Sequence, residues 1–236
     1  MDGGGLSWDY ESMARDALRT ATRVLDIDTG GGELLAGLAP LPAAIATEPY
    51  APNVPIATAR LTPLGVDVRP GRASALPVAD GDVTLVLNRH GALDASETAR
   101  VLAPGGVFLT LQVGSRNDLA FNDTLGVPPP AKPDAHTLDS AVSQLEAVGL
   151  VIDQAQEEYP VTRYFDVGAV VFQLRVVPWQ VPGFTVMASE ERLRGLDAHI
   201  RKTGYFAVMS HRFLIRAHRV TKSVANRWDS PSMPLI

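Results

Sequence analysis

The chain has 236 residues, is 46% hydrophobic and carries a net charge of −5, which provides apolar material for one substantial core and no whole-protein attraction to nucleic acid. It has no cysteine, so disulfides, thiolate zinc sites and a cysteine nucleophile are excluded. The opening Met1-Asp2-Gly3-Gly4-Gly5 lacks the regions of a signal peptide, and no apolar run reaches the roughly 18 residues of a membrane span, so a cytoplasmic protein without a membrane partner is expected.

Tyr10, Met13, Ala14, Ala17, Leu18 and Ala21 recur at helical spacing and predict an opening amphipathic helix. Trp8 and Tyr10 at its start are read either as packing aromatics or as part of a substrate rim. A buried strand then runs through Val24–Ile27 and breaks at Asp28-Thr29-Gly30-Gly31-Gly32 into a helix from Glu33. Strand, glycine turn and helix together make a nucleotide-type site, because missing Cβ atoms let a ligand lie against the backbone. Ala43–Thr47 is a second strand ending in Glu48, placed about 20 residues on, where a ribose-binding acid belongs in such folds.

Asn53 is expected to cap a helix with Pro55 in its first turn and Gly65 at its end. Val66–Val68 and Val83–Leu87 are the third and fourth strands, the latter ending in the polar cluster Asn88-Arg89-His90-Gly91. A helix over about Ser96–Leu102 precedes the fifth strand, Val107–Val113. Gly114–Asp134 reads as a long loop, Thr137–Val148 as a helix closed by Gly149, and Leu150–Gln154 as the start of a sixth strand. The aromatic-rich stretch Tyr159–Pro182 reads as an elaboration over the ligand end of the sheet. A charged helix, Ser189–Thr203, leads to a strand from Tyr205 to about Arg216. One domain is therefore expected over 1–217, with an elaboration at about 157–187 and a basic, frayed tail over 218–236. The alternation of strands and helices predicts an α/β fold with a mainly parallel sheet and helices on both faces.

Four blocks resemble the class I S-adenosylmethionine-dependent methyltransferases, in particular a bacterial branch of small members. They are Val24–Glu33, Ala46–Asn53, Leu76–His90, and Arg100-Val101-Leu102-Ala103-Pro104-Gly105-Gly106. Branch-like features continue through Leu109–Gly114, Arg163–Ala169 and Val177–Pro182 to His211-Arg212-Phe213. The resemblance implies a Rossmann-like sheet of seven strands, the last antiparallel, with S-adenosylmethionine as cofactor and a small-molecule acceptor. It implies that Asp26, Asp28, Thr29, Gly30 and Gly32 hold the methionine part and Glu48, with Pro49, the ribose. Ala73 would lie beside the adenine, and Asn88 and Arg89 would close the site near the sulfonium. An NAD-type fingerprint fits poorly, because the third glycine of G-x-G-x-x-G falls on Leu35.

The chain departs from the family pattern in three places: Asp28 replaces the first glycine, Arg72 the acid after the third strand, and Thr84 the acid of the fourth strand. At about 4 Å from a ligand charge, Asp28 would contribute about 4 kcal/mol at an effective dielectric near 20. The effect is repulsive toward a carboxylate and attractive toward an ammonium. Methyl transfer from a sulfonium needs alignment more than acid–base machinery. Where the nucleophile must lose a proton, His90 is the candidate base. Tyr164, Asp166 and Trp179 are candidate substrate contacts in the elaboration. The histidine spacing gives no metal motif, and no serine stands in a nucleophile elbow. Two other readings remain. One is a methyltransferase-like fold redirected to cyclisation or rearrangement, and the other is a non-catalytic ligand-binding protein.

Overall fold

The computed structural model describes residues 1–129, 131–132 and 134–221. Its main sheet is built from β2 (Arg23–Ile27), β3 (Ala43–Glu48), β4 (Val66–Pro70), β5 (Val83–Arg89), β6 (Leu102–Val113), β7 (Leu150–Glu158) and β10 (Arg212–Arg219). The spatial order is β4-β3-β2-β5-β6-β10-β7. Neighbours from β4 to β6 pair parallel, and β10 runs antiparallel to both β6 and β7. This is the Rossmann-like seven-stranded sheet that the motif order implies.

The period of two along each strand sends alternate residues to opposite faces. Leu25, Ile27, Val86, Phe108 and Phe213 join one core with Val101 of α4 (Ala95–Val101) and Leu145 of α6 (Leu138–Ala147). Val24, Leu85, Leu87, Leu109 and Leu214 join the other, with Tyr10 and Ala14 of α1 (Tyr10–Leu18), Leu35 of α2 (Glu33–Gly37) and Leu61 of α3 (Val54–Leu61). From β2 the chain first winds outward through β3 and β4, then returns to β5 on the other side of β2. The crevice at the carboxyl ends of β2 and β5 is the switch point where open α/β sheets bind ligands.

A second layer sits at the carboxyl ends of β6 and β7. A three-stranded antiparallel sheet of β1 (Asp2–Gly3), β8 (Val161–Tyr164) and β9 (Phe206–Met209) packs with α5 (Leu119–Leu125), α7 (Val167–Val176) and α8 (Glu190–Thr203). Their shared core contains Phe121, Tyr164, Leu174, Leu193, Leu196 and Phe206.

Four sequence expectations change. The Gly114–Asp134 loop contains α5, whose Phe121 and Leu125 stand one turn apart in the core of the second layer while Asp118, Asn122 and Asp123 disguise it as loop. The strand expected over Tyr205–Arg216 is two strands in different sheets, parted where the Met209 and His211 carbonyls turn to accept the Asp118 and Gly114 N–H groups. Asn53 occupies the N-cap of α3 with a helical backbone and makes no side-chain cap bond. The expected tail begins inside β10, since His218 and Arg219 pair with β7, and residues 222–236 lie outside the described residues. Among the described residues, no helix is long and apolar enough to cross a membrane.

Candidate active site

The crevice is built first by the β2–α2 turn. Asp28 takes the glycine position of the motif with φ of 56°, a left-handed conformation that aspartate tolerates better than most residues. Its Oδ2 accepts the Ala92 N–H at 2.8 Å, and its Oδ1 is buried with no hydrogen-bond partner among the described residues. The added side chain therefore clasps the loop that leaves β5. Gly30 and Gly32 follow at φ of 63° and 80°. A Cβ on Gly32 would meet Leu61 Cγ at 2.7 Å, whereas one on Gly30 would have no neighbour within 4 Å. Gly32 thus serves helix packing, and Gly30 faces the open crevice.

Asp26 is buried at the foot of this turn. Burial pushes its carboxyl up to about 7; the Thr29 hydroxyl beside it pulls the other way, and Asp28 and Glu48 add to the rise. Burial also raises Asp28, with Glu48 adding to it. A cavity of about 290 Å³ lies over these groups, walled by Asp26, Asp28, Thr29, Gly30, Arg89 and His90. The Arg89 side chain makes no hydrogen bond or ion pair among the described residues. One unpaired guanidinium thus faces two acids across a small chamber.

Glu48 ends β3 as expected but is only 4% exposed. Its oxygens accept the Gly30 N–H at 2.7 Å and the Tyr50 N–H at 2.8 Å, which ties the glycine turn to β3. An ionised carboxylate has about four acceptor directions, so these two bonds leave capacity for further donors. Pro49 is exposed, and Ala73 is buried in the core with Leu25 and Leu76.

Asn88 does not face the cavity. It is buried, donating to the Ala92 carbonyl at 2.8 Å and accepting from Gly91 N–H and Gln112 Nε2 at 3.0 and 3.1 Å, so its role is to shape the loop. Thr84 lies at the far end of β5, where it accepts the Thr22 and Arg23 N–H groups and donates to the Arg23 carbonyl. That departure from the family pattern is remote from the crevice, and Arg72 is exposed.

His90 stands at the rim, with φ of 62° and its N–H held by the Leu111 carbonyl at 2.7 Å. Partial burial pushes its imidazole down to about 4, with Arg212 and Arg89 adding to the effect, so it is neutral at physiological pH. It also forms one wall of a second cavity of about 330 Å³, shared with Gln112 and His136. Neither of these stood among the sequence candidates. Gln112 was legible only as a polar residue interrupting the apolar run Leu109–Val113.

The candidate substrate contacts lie elsewhere. Tyr10 is buried in the core, its hydroxyl 3.4 Å from the Leu109 carbonyl, and Trp8 packs against the same cluster. Tyr164 is buried edge-on against Phe121 at 5.5 Å between ring centroids, and Asp166 caps α7 by accepting the Ala169 N–H at 2.7 Å. Trp179 is 66% exposed and walls neither cavity. His211 is buried, with Nδ1 accepting the Arg116 N–H at 3.2 Å and Nε2 2.8 Å from Glu157. It pins the junction of β6, β7 and β10. No group of three or more His, Asp or Glu among the described residues could hold a metal ion.

No family model and no curated protein matches the chain. Solved structures do. A Bacillus halodurans protein carrying a provisional methyltransferase assignment is 18% identical, covers 90% of this chain and 99% of its own, and superposes with a TM-score of 0.66. The [4+2]-cyclase SpnF is 16% identical, covering 89% and 80% with a TM-score of 0.57. The Streptomyces coelicolor geranyl diphosphate C-methyltransferase, solved with S-adenosylhomocysteine, is 16% identical, covering 89% and 76% with a TM-score of 0.55. The strand order, the glycine turn and these superpositions agree that the chain has the fold of the class I S-adenosylmethionine-dependent methyltransferases.

Proposed function

We propose that the protein is an S-adenosylmethionine-dependent methyltransferase acting on a small-molecule acceptor. The observation that carries this is the first cavity, where Asp26 and Asp28 oppose the unpaired Arg89 beside the open face of Gly30. That pattern suits a zwitterionic amino-acid end, with its ammonium on the acids and its carboxylate on the guanidinium. It also gives Asp28 the attractive sign.

The chain's residues fit the cofactor at this end, and Glu48 keeps acceptor directions for vicinal hydroxyls. When bound, S-adenosylmethionine supplies a methyl group already activated by its sulfonium. The protein's work is then to fix the amino-acid end, to hold the β5 loop through Asp28 and Asn88, and to align an acceptor near His90. Calorimetry with S-adenosylhomocysteine tests the assignment. Micromolar binding supports it, and none up to millimolar overturns it.

A second reading is a redirected fold that performs cyclisation or rearrangement, as the SpnF neighbour's name states for that protein. It is favoured by the near-complete burial of Glu48, both of whose oxygens already hold backbone N–H groups. Failure of Glu48→Gln to weaken S-adenosylhomocysteine would support this reading, because a working ribose acceptor would be lost in that variant.

A further inference from the structure

The second cavity carries chemistry that the first does not explain. Its walls include His90, Leu93, Gln112, Val113 and His136, and no carboxylate is among them. A chain of hydrogen bonds fixes their orientation. The Gly91 N–H donates to Asn88 Oδ1, so the Asn88 amide nitrogen faces the Ala92 carbonyl. Gln112 must then turn its nitrogen to Asn88 Oδ1 and Thr110 Oγ1, 3.1 and 2.6 Å away, which leaves Oε1 at 3.2 Å from His136 Nε2. An amide oxygen only accepts, so Nε2 carries the ring proton of His136. Nδ1 is left with a lone pair and no partner among the described residues. Burial, and His211 nearby, lower the pKa of His136, so the ring is neutral at physiological pH.

This arrangement sorts ligands by chemistry. A carboxylate would meet the lone pair of Nδ1, and the donors of Gln112 and His136 Nε2 are already spent. An ammonium would find no counter-charge in the walls. A neutral hydroxyl can donate to Nδ1, and it does so most strongly when it is acidic, as in a phenol or an enol.

We propose that the second cavity is the acceptor pocket and takes a small compound with an ionisable hydroxyl, a phenol or enol, whose O–H is received by His136 Nδ1. This rests on the first cavity holding the methyl donor, which shares the His90 wall.

The test uses the full chain and 4-nitrophenol, whose coloured anion reports its own ionisation, beside 4-nitroanisole, which has the same outline without the O–H. The expected result is 4-nitrophenol binding about fivefold more tightly, the size of one net hydrogen bond. The bound phenol should ionise less readily than the free one, because only its neutral form can donate to Nδ1, and the His90 and His136 imidazole signals should move in the NMR spectrum. His136→Phe retains an aromatic ring against Phe213, 5.0 Å away between centroids, and should abolish the discrimination. Equal binding of the two compounds, discrimination surviving in His136→Phe, or movement of other histidines instead overturns the proposal. If His136→Phe fails to fold, the two ligands and the wild-type histidine signals still decide. S-adenosylhomocysteine binding is measured separately, so failure of the donor site and failure of the acceptor assignment give different results.

Discussion

The two cavities on either side of His90 are made in opposite ways. The first is walled largely by one run of chain, Asp26–Gly30, with charged groups of both signs. The second gathers His90, Gln112 and His136 from three separate segments, and its polar groups are neutral or already bonded to each other. A contiguous turn can place charges against a ligand with little support. A neutral hydrogen-bonding pocket has to be oriented by a network, because an amide or imidazole presents the wrong group as readily as the right one.

The largest expected effect breaks the first cavity alone. Gly30→Val places a branched side chain in open space at φ of 63°, where the ligand is proposed to lie. S-adenosylhomocysteine binding should fall below detection, while circular dichroism shows a folded chain melting somewhat earlier. Retained affinity would move the donor site elsewhere.

Asp26 gives the next effect. Its rise from 3.8 to about 7 corresponds to about 4 kcal/mol. The folded state holds this proton more tightly than the unfolded chain does. The stabilisation is therefore complete below about pH 4 and lost as pH rises through about 7. Asp26→Asn, which never ionises, should gain on the wild type in denaturant melts between pH 5 and pH 8. A constant difference across that range would show that Asp26 is not held neutral.

Asp28→Asn removes a charge and keeps an oxygen for the Ala92 N–H. If the acid meets an ammonium, affinity should drop about 10- to 100-fold, as for a hydrogen bond to a charged group. Unchanged or tighter binding would return Asp28 to a purely structural clasp.

On the side of the second cavity, a Cβ on Gly114 would fall 2.0 Å from the His211 ring, which Glu157 and the Arg116 N–H hold in place. Gly114→Ala should cost at least the 1–3 kcal/mol typical of overpacking, about the same loss whether or not ligand is present, read from denaturant midpoints. A neutral outcome would mean that this junction yields freely.

The smallest effect sharpens the boundary between the chambers. His90→Ala should leave S-adenosylhomocysteine affinity within about twofold. In the wild type, NMR titration should place the His90 midpoint near pH 4, below the ordinary 6.5. The rate on a limiting acceptor should then be flat above about pH 5 as far as His90 is concerned. A midpoint near 6.5 would instead restore the pH-dependent base that the bare sequence suggests.

Much of the first cavity was legible in the sequence because its information is local. Apolar runs of period two or continuous burial declare strands, three glycines after an acid declare a close-approach turn, and the distance to Glu48 follows from one βαβ unit. The alternation of such elements also carried the α/β class, and the family resemblance implied the seven strands with the last antiparallel. What the side chains do across long separations was decided only by tertiary structure. Asp28 bonds Ala92, 64 residues away, and Asn88 turns inward because Gly91, Ala92 and Gln112 satisfy it there. The second layer hid for the same reason. A seven-residue helix interrupted by Asn122 and Asp123, and one apparent strand shared between two sheets, carry patterns too short to read until Phe121 and Phe206 meet in a common core. Periodicity fixes which face of an element is buried, but a buried amide or imidazole takes its orientation from partners that the fold alone brings within hydrogen-bonding distance.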